Sequence, residues 1–166
     1  MCDKAGFDNK HLARLNGLYR NPSSLTGRKI SLVEKLLSKY KCKCRLFDIG
    51  CGTGELIERV RDRFNEIVGI DVSSKVVDFC IRRFMNDEKV RIMKLDANKL
   101  DRIPGYFDAV TALDVLEHLN NIEDVTRSVY KILRSGGIFV TSTPNWYDKI
   151  KRRIYMTLCI KMRIHQ

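Results

Sequence analysis

The stretch LFDIGCGTGE, residues 46–55, is the most specific feature of the sequence. Its first four residues are those of a short buried strand, and glycines follow at the alternate positions Gly50, Gly52 and Gly54. Glycine has no Cβ atom, so a loop of this kind can turn sharply and let a ligand lie against its backbone. The stretch therefore predicts a binding site where a strand runs into a helix.

The glycine spacing disfavours a nicotinamide dinucleotide as the ligand. In the G-x-G-x-x-G loop the third glycine comes one place later, and the helix N-terminus holds a pyrophosphate. Asp48, near the end of the predicted strand, would repel a pyrophosphate and attract an ammonium group. An NAD-dependent oxidoreductase is thus a weaker hypothesis, which a direct titration with NAD would test.

Strand-like and helix-like segments alternate from about residue 27 onward, which is typical of a parallel α/β sheet. The first helix is expected at about 26–40, and Gly136 and Gly137 are expected to end the last one. Right-handed crossovers would place the strands in one sheet with helices on both faces and the ligand site at the carboxyl ends. The predicted strands are residues 45–49, 66–70, 90–95, 107–113 and 138–142.

Acidic residues recur where the predicted strands end. Asp71 follows the second strand, 21 residues after Gly50, where a carboxylate can accept hydrogen bonds from both hydroxyls of a ribose. Asp96 follows the third strand and could accept the exocyclic amine of adenine. Together with Asp48, these positions describe a pocket for an adenosine that carries an amino-acid tail.

These segments, in this order, resemble the class I S-adenosylmethionine-dependent methyltransferases, and most closely the small-molecule subgroup of ubiquinone-biosynthesis O-methyltransferases. The resemblance covers about residues 30–145, through the segments 47–54, 68–71, 95–97, 107–110, 116–118, 133–137 and 143–145. It implies a Rossmann-like three-layer sheet with five parallel strands in the order 3-2-1-4-5. It also implies that Asp48, Gly50, Gly52 and Gly54 hold the methionine part of the cofactor, Asp71 the ribose, and Asp96 and Ala97 the adenine. Leu113 would line the cofactor site, and Cys51 and Val72 would also belong to it.

The segment that follows the fourth strand has three interpretations. A helical turn would gather Asp114, Glu117 and His118 on one side. His118 could then be a general base that deprotonates an acceptor hydroxyl. The trio could instead bind a divalent cation such as Mg²⁺, as the resemblance suggests, although the family typically has Glu where this chain has Asp114. In the third interpretation, Glu117 and His118 only shape the pocket.

Composition and charge restrict the class of protein. The 166 residues fit one domain, and no apolar run is long enough for a membrane-spanning helix or a signal peptide. The six cysteines have no C-x-x-C spacing, so we expect reduced thiols and a cytoplasmic protein. The net charge of +11 lies at the two ends, since residues 1–45 carry 11 Lys and Arg against 3 Asp and Glu. Only this basic region supports an RNA methyltransferase.

We divide the chain into a basic segment, 1–26, the methyltransferase domain, 27–145, and a basic amphipathic tail, 146–166. The tail is short for the hairpin that completes the family's sheet, so the hairpin is expected to be short or missing. The fifth strand would then have a bare edge unless the tail or a second subunit covers it. As a helix, the tail would align Ile150, Ile154 and Leu158, and would either cover the sheet or contact an anionic membrane peripherally.

The sequence thus predicts an enzyme that transfers the methyl group of S-adenosylmethionine to an oxygen or other nucleophile of a small-molecule or lipid-like acceptor. Two alternatives remain beside the disfavoured oxidoreductase. One is a non-catalytic S-adenosylmethionine-binding protein or activating subunit, which a missing hairpin would favour. The other is an RNA methyltransferase.

Overall fold

A computed structural model describes residues 24–144 and 155–161, together with Gly17 and Asn21. The helices are α1 (Leu25–Lys39), α2 (Glu55–Val60), α3 (Ser74–Arg83) and α4 (Ile122–Ile132). The strands are β1 (Arg45–Ile49), β2 (Glu66–Asp71), β3 (Val90–Lys94), β4 (Phe107–Leu113), β5 (Leu133–Pro144) and β6 (Tyr155–Lys161). Short 3-10 helices occupy Arg61–Arg63, Ala97–Arg102 and Leu116–His118.

The six strands form one sheet in the order β3-β2-β1-β4-β5-β6. Strands β1 to β5 are parallel, which confirms the predicted order 3-2-1-4-5. In this order the chain turns back after β3, so β1 and β4 are neighbours at the point of reversal. Ligands of such sheets bind at this point, outside the carboxyl ends of the strands.

The prediction of five parallel strands is confirmed, whereas the expectation of a helical tail was wrong. Residues 155–161 form β6, which pairs antiparallel with β5, so the tail covers the edge of the fifth strand, one of the two ways that we considered. Antiparallel pairing with β5 therefore prevails over the helical stripe that we expected. Ile150 and Ile154 of that stripe lie outside the described residues, as does most of the basic segment 1–26.

Strand β5 also begins earlier than predicted. Helix α4 ends at Ile132, and Leu133 already pairs with Phe107 of β4. Gly136 and Gly137 are therefore not helix caps, because they lie inside β5 at the point where its register against β4 shifts. Gly136 has φ +75°, a left-handed conformation that glycine adopts without steric cost, as a bulge requires.

Two apolar cores cover the two faces of the sheet. On one face Leu46 and Ile67 pack with Ile30, Val33 and Leu37 of α1. On the other, Phe47, Val110 and Phe139 pack with residues of α4 and of the 3-10 helix at Ala97–Arg102. Because side chains alternate along a strand, Asp48 lies on the same face as Leu46, towards α1. Among the described helices, none has the length and apolar character that crossing a membrane requires.

Candidate functional site

A pocket lies at the carboxyl ends of β1 and β4, where the strand order reverses. Its empty volume is about 420 Å³, counting the part open to solvent. Its wall includes five residues predicted to bind the cofactor, namely Asp48, Gly50, Cys51, Gly52 and Leu113, and also Asp114, which was predicted as a candidate metal ligand. The wall also includes residues that we did not predict, among them Thr26, Lys29, Ile30, Thr53, Glu55 and Leu56.

The glycine loop forms the floor of this pocket. Gly50 has φ +67°, and a Cβ atom there would lie 2.3 Å from Cγ2 of Val115, so no side chain fits. Gly52 has φ +53°, and a Cβ atom there would have no neighbour within 4 Å. Gly50 is therefore explained by the packing of the protein itself. Gly52 leaves open space above the backbone, as expected where a ligand lies against it.

Asp48 supplies a buried carboxyl group beside this loop. The residue is 3% exposed, and the Thr111 hydroxyl donates a hydrogen bond of 2.6 Å to its Oδ1 atom. Burial raises the pKa of Asp48 from 3.8 to about 7; the hydrogen bond from Thr111 opposes this shift and the charge of Asp71 adds to it. A carboxylate with little access to water interacts strongly with an incoming cation. Thr111 was not predicted, although its place opposite Asp48 follows from the pairing of β1 with β4.

Asp71 ties the glycine loop to the end of β2. Its Oδ2 accepts a hydrogen bond of 3.2 Å from the Gly52 N–H, and its Oδ1 accepts one of 2.9 Å from the Ser73 N–H. Burial raises the pKa of Asp71, and these backbone hydrogen bonds oppose the shift. Each carboxylate oxygen keeps a further lone pair that a ligand hydroxyl could use. The ribose role of Asp71 stays a prediction.

The residues predicted to bind adenine lie outside the wall of the pocket. Asp96 caps the 3-10 helix at Ala97–Arg102, where its Oδ1 accepts from the N–H and the side-chain amide of Asn98, at 2.9 and 2.8 Å. Ala97 is 9% exposed and belongs to the core, whereas Val72, beside Asp71, is 55% exposed. Their cofactor-binding roles stay predictions.

The structure does not bring Asp114, Glu117 and His118 together. Asp114 has φ +55° and precedes the three-residue 3-10 helix, so the three residues do not share the α-helical turn that we assumed. Asp114 lines the pocket, whereas His118 is exposed and lies outside the lining. Within ranges 24–144 and 155–161, no cluster of three His, Cys, Asp or Glu side chains could hold a metal ion. The proposed metal trio was therefore wrong, while the role of His118 as a base stays a prediction.

Asp114 is instead paired with a cation that the sequence analysis missed. Lys29 of α1 donates from Nζ to Asp114 Oδ2, and the Ser142 hydroxyl donates to Asp114 Oδ1 at 3.2 Å. The Lys29 side chain is 3% exposed and that of Asp114 is 33% exposed. The two residues are 85 positions apart. The only sequence signal was a lysine directly beside Ile30 in the apolar stripe of α1.

A second group of contacts holds the outer part of the loop. Arg83 of α3 donates to the Thr53 carbonyl oxygen at 2.7 Å and to Glu55 Oε2 at 2.9 Å. The Cys80 thiol donates to the Gly52 carbonyl oxygen at 3.2 Å. The pKa of the Cys51 thiol is raised well above its usual range, mainly by a hydrogen bond with Cys80 and to a smaller extent by burial. A raised pKa disfavours Cys51 as a nucleophile, and its cofactor-binding role stays a prediction.

The chain is similar to known methyltransferases in sequence and in structure. A family model described as a methyltransferase domain matches residues 47–141. A ubiquinone biosynthesis O-methyltransferase of Dechloromonas aromatica is 35% identical over 103 residues, which are 61% of this chain and 44% of the relative. A sterol 4-C-methyltransferase of Caenorhabditis elegans is 26% identical over 133 residues, 76% of this chain and 39% of the relative.

Among solved structures, phosphoethanolamine N-methyltransferase 2 of Haemonchus contortus, in complex with S-adenosyl-L-methionine, superposes with a TM-score of 0.73 at 20% identity. That superposition covers 85% of this chain and 34% of the other. The similarity confirms the fold that we expected. The chain spans less than half the length of each of these three proteins.

Proposed function

The chain belongs to the family that this methyltransferase-domain model describes, and on that premise we propose that it binds S-adenosylmethionine and transfers its methyl group to a small-molecule or lipid-like acceptor. The observation that carries the proposal is the buried Asp48 carboxyl group beside the open backbone at Gly52, in a pocket where the strand order reverses. This combination fits a ligand that has an ammonium group for Asp48 and a neighbouring part that lies against the loop backbone at Gly52.

The residues of the pocket fit the cofactor part by part. Asp48 would accept the ammonium group of the methionine tail, and Gly52 leaves the space in which that tail would lie. Asp71 is fixed by two backbone N–H groups and retains lone pairs for the ribose hydroxyls. Asp96 and Ala97, at the start of the 3-10 helix after β3, would bind adenine further along the edge of the sheet.

Once bound, S-adenosylmethionine supplies an electrophilic methyl group on a positively charged sulfur atom. The contribution of the chain is to orient the cofactor and the acceptor in line and to exclude water, and such positioning can account for much of the acceleration. A dedicated base is optional for this reaction. His118, in the 3-10 helix after β4, is our candidate for removing a proton from an acceptor hydroxyl.

The acceptor class is a finer proposal than the activity. We propose an oxygen or another nucleophile on a phenolic, quinone-like or lipid-like molecule. Support comes from the names of two relatives, a ubiquinone biosynthesis O-methyltransferase and a sterol 4-C-methyltransferase. The metal that we considered at Asp114 has no place in this proposal, because the three candidate ligands do not converge.

A transfer assay tests the proposal. The chain would be incubated with S-adenosylmethionine labelled in its methyl group and with separate panels of phenols, quinols, lipids and RNA. We expect label in an organic small molecule and formation of S-adenosylhomocysteine. Label in RNA alone would contradict the acceptor class. Tight cofactor binding without transfer to any panel would favour the non-catalytic alternative.

A further inference from the structure

The C-terminal end of α3 holds the outer half of the glycine loop. Arg83, the last residue of this helix, donates from Nη1 to the Thr53 carbonyl oxygen at 2.7 Å and to Glu55 Oε2 at 2.9 Å. One guanidinium nitrogen thus joins the backbone of the loop to the first turn of α2. The Arg83 side chain is 12% exposed and that of Glu55 is 8% exposed, so both contacts lie away from bulk water. Charge-assisted hydrogen bonds of this kind are stronger than those between neutral groups.

The glycines make this half of the loop costly to order. Gly52 and Gly54 have φ +53° and +76°, and glycine loses more conformational freedom on folding than any other residue. Gly54 is also the N-cap of α2, and within the described part of the chain no side chain caps that end. The order of the loop therefore depends on contacts to its backbone carbonyl groups, and Arg83 makes one of them.

Two neighbours of Arg83 pack against the same side of the loop. The Cys80 thiol donates to the Gly52 carbonyl oxygen at 3.2 Å. A Cβ atom at Gly54 would lie 2.5 Å from Cε2 of Phe84 and 2.9 Å from Sγ of Cys80, so both side chains contact the glycine backbone directly. The central carbon of the Arg83 guanidinium group lies 5.5 Å from the centre of the Phe84 ring. Arg83 is therefore itself fixed by the packing of the helix end.

The inner half of the loop is attached separately. Asp71, our candidate for the ribose, accepts from the Gly52 N–H at 3.2 Å, and this contact does not involve Arg83. Thr53 and Glu55, which Arg83 holds, line the pocket beyond Gly52. The two attachments thus serve different parts of a bound cofactor. Asp71 fixes the loop beside the ribose, and Arg83 fixes it beside the space for the amino-acid tail.

We propose that Arg83 is a positioning residue for the methionine tail of the cofactor. It keeps Thr53 and Glu55 in place, so the backbone around Gly52 already has the shape that the tail requires before the ligand arrives. Such preorganisation raises affinity, because the cost of ordering the loop does not oppose binding. The inference rests on the proposed function. It predicts that Arg83 contributes to the affinity for ligands that carry the tail and not to the affinity for the adenosine part alone.

The test compares two ligands that differ only in the tail. S-adenosylhomocysteine carries the amino-acid group on its sulfur atom, and 5′-methylthioadenosine has a methyl group in its place. Dissociation constants for the full chain would be measured by calorimetry, directly for the first ligand and by displacement for the second. The variants are Arg83→Met, which keeps an apolar contact with Phe84, and Arg83→Lys, which keeps the charge. Arg82→Met is the matched control, because Arg82 is an exposed arginine of the same turn.

For S-adenosylhomocysteine we expect Arg83→Met to weaken binding by roughly 10-fold or more, the loss typical of a hydrogen bond to a charged group. Arg83→Lys should lose less, since its ammonium group can still donate to one of the two oxygens. For 5′-methylthioadenosine, every variant should bind within about twofold of the parent chain, as expected for independent sites. Arg82→Met should leave both constants unchanged.

A second variant separates positioning from a defect in folding. Arg83→Met leaves the Glu55 carboxylate buried without this partner, which is unfavourable in itself. The double variant Arg83→Met/Glu55→Gln removes that charge and should show the same selective loss of affinity for S-adenosylhomocysteine. Hydrogen exchange of the unliganded double variant should be faster at residues 52–56 and unchanged in β1, because the opening is local.

Two results would overturn the inference. Equal weakening of both ligands in Arg83→Met and in the double variant would mean that Arg83 only supports the fold of the whole pocket. An unchanged affinity for S-adenosylhomocysteine in both variants would mean that the loop keeps its shape without Arg83. A parent chain that bound neither ligand would contradict the proposed function itself, which is a distinct result.

Discussion

The pKa of Asp48 makes the affinity for the cofactor dependent on pH. Burial raises this pKa to about 7, so the carboxyl group is largely protonated in the ligand-free protein below neutral pH. Only the ionised form can pair with the ammonium group of the methionine tail. Raising the pH from 5 to 7 increases the ionised fraction from about 1 in 100 to about 1 in 2. The apparent dissociation constant varies inversely with this fraction, so it should fall about 50-fold.

Calorimetric titration with S-adenosylmethionine at half-unit steps between pH 5 and pH 7 measures this change. Repeating the pH 6 titration in two buffers of different ionisation enthalpy should reveal a proton released on binding. In the matched variant Asp48→Asn, which can still accept the hydrogen bond from Thr111, the dissociation constant should be weaker and independent of pH. A parent chain whose affinity is constant over this range would refute the assignment of Asp48 to the ammonium group.

The remaining predictions concern stability, the ribose, the open glycine and the base. The folded protein keeps the Asp48 proton up to about pH 7, whereas the unfolded chain loses it near pH 4, so the free energy of unfolding falls as pH rises from about 4 to 8. Asp48→Asn removes this effect and should stabilise the fold by up to about 4 kcal/mol at pH 8, but not at pH 4. Denaturant unfolding at the two pH values measures the difference. Asp71→Ala should weaken cofactor binding by roughly 1.5 to 3 kcal/mol by calorimetry, and an unchanged affinity would exclude its ribose role. Gly52→Ala should destabilise the fold by only about 1 kcal/mol, because nothing lies near the added Cβ atom. It should nevertheless weaken cofactor binding at least 10-fold, and an affinity equal to that of the parent chain would show that no ligand lies there. His118→Ala should reduce turnover and leave cofactor affinity nearly intact, whereas equal loss of both would favour a pocket-shaping role.

The parts of the site that were predictable from sequence are local along the chain. Strand β1 and its glycine loop combine a short apolar run, Asp48 and alternate glycines within ten residues, so their geometry follows from neighbouring positions. The parallel order of β1 to β5 follows from alternating periodicity and from the resemblance to a family. The positions of Asp71 and Asp96 at strand ends were predictable for the same reason.

The parts that were missed depend on contacts between distant segments. Lys29 reaches Asp114 because α1 packs beside the pocket, and no pattern within α1 distinguishes this lysine from a solvated one. Thr111 contacts Asp48 only through the register of β1 with β4. The assumed helical turn at Asp114 failed because the backbone there is left-handed, which residue type alone rarely indicates. Strand β6 forms by pairing with the outer edge of β5, and the sequence of residues 155–161 does not indicate that this edge is within reach.

The central claim is that this chain has a specific site for S-adenosylmethionine. Calorimetric titration of the 166-residue chain with S-adenosylmethionine, S-adenosylhomocysteine and NAD tests it most directly. We expect micromolar binding of the first two ligands and no binding of NAD. A folded sample that binds neither of the first two, or that binds NAD as tightly, would contradict it.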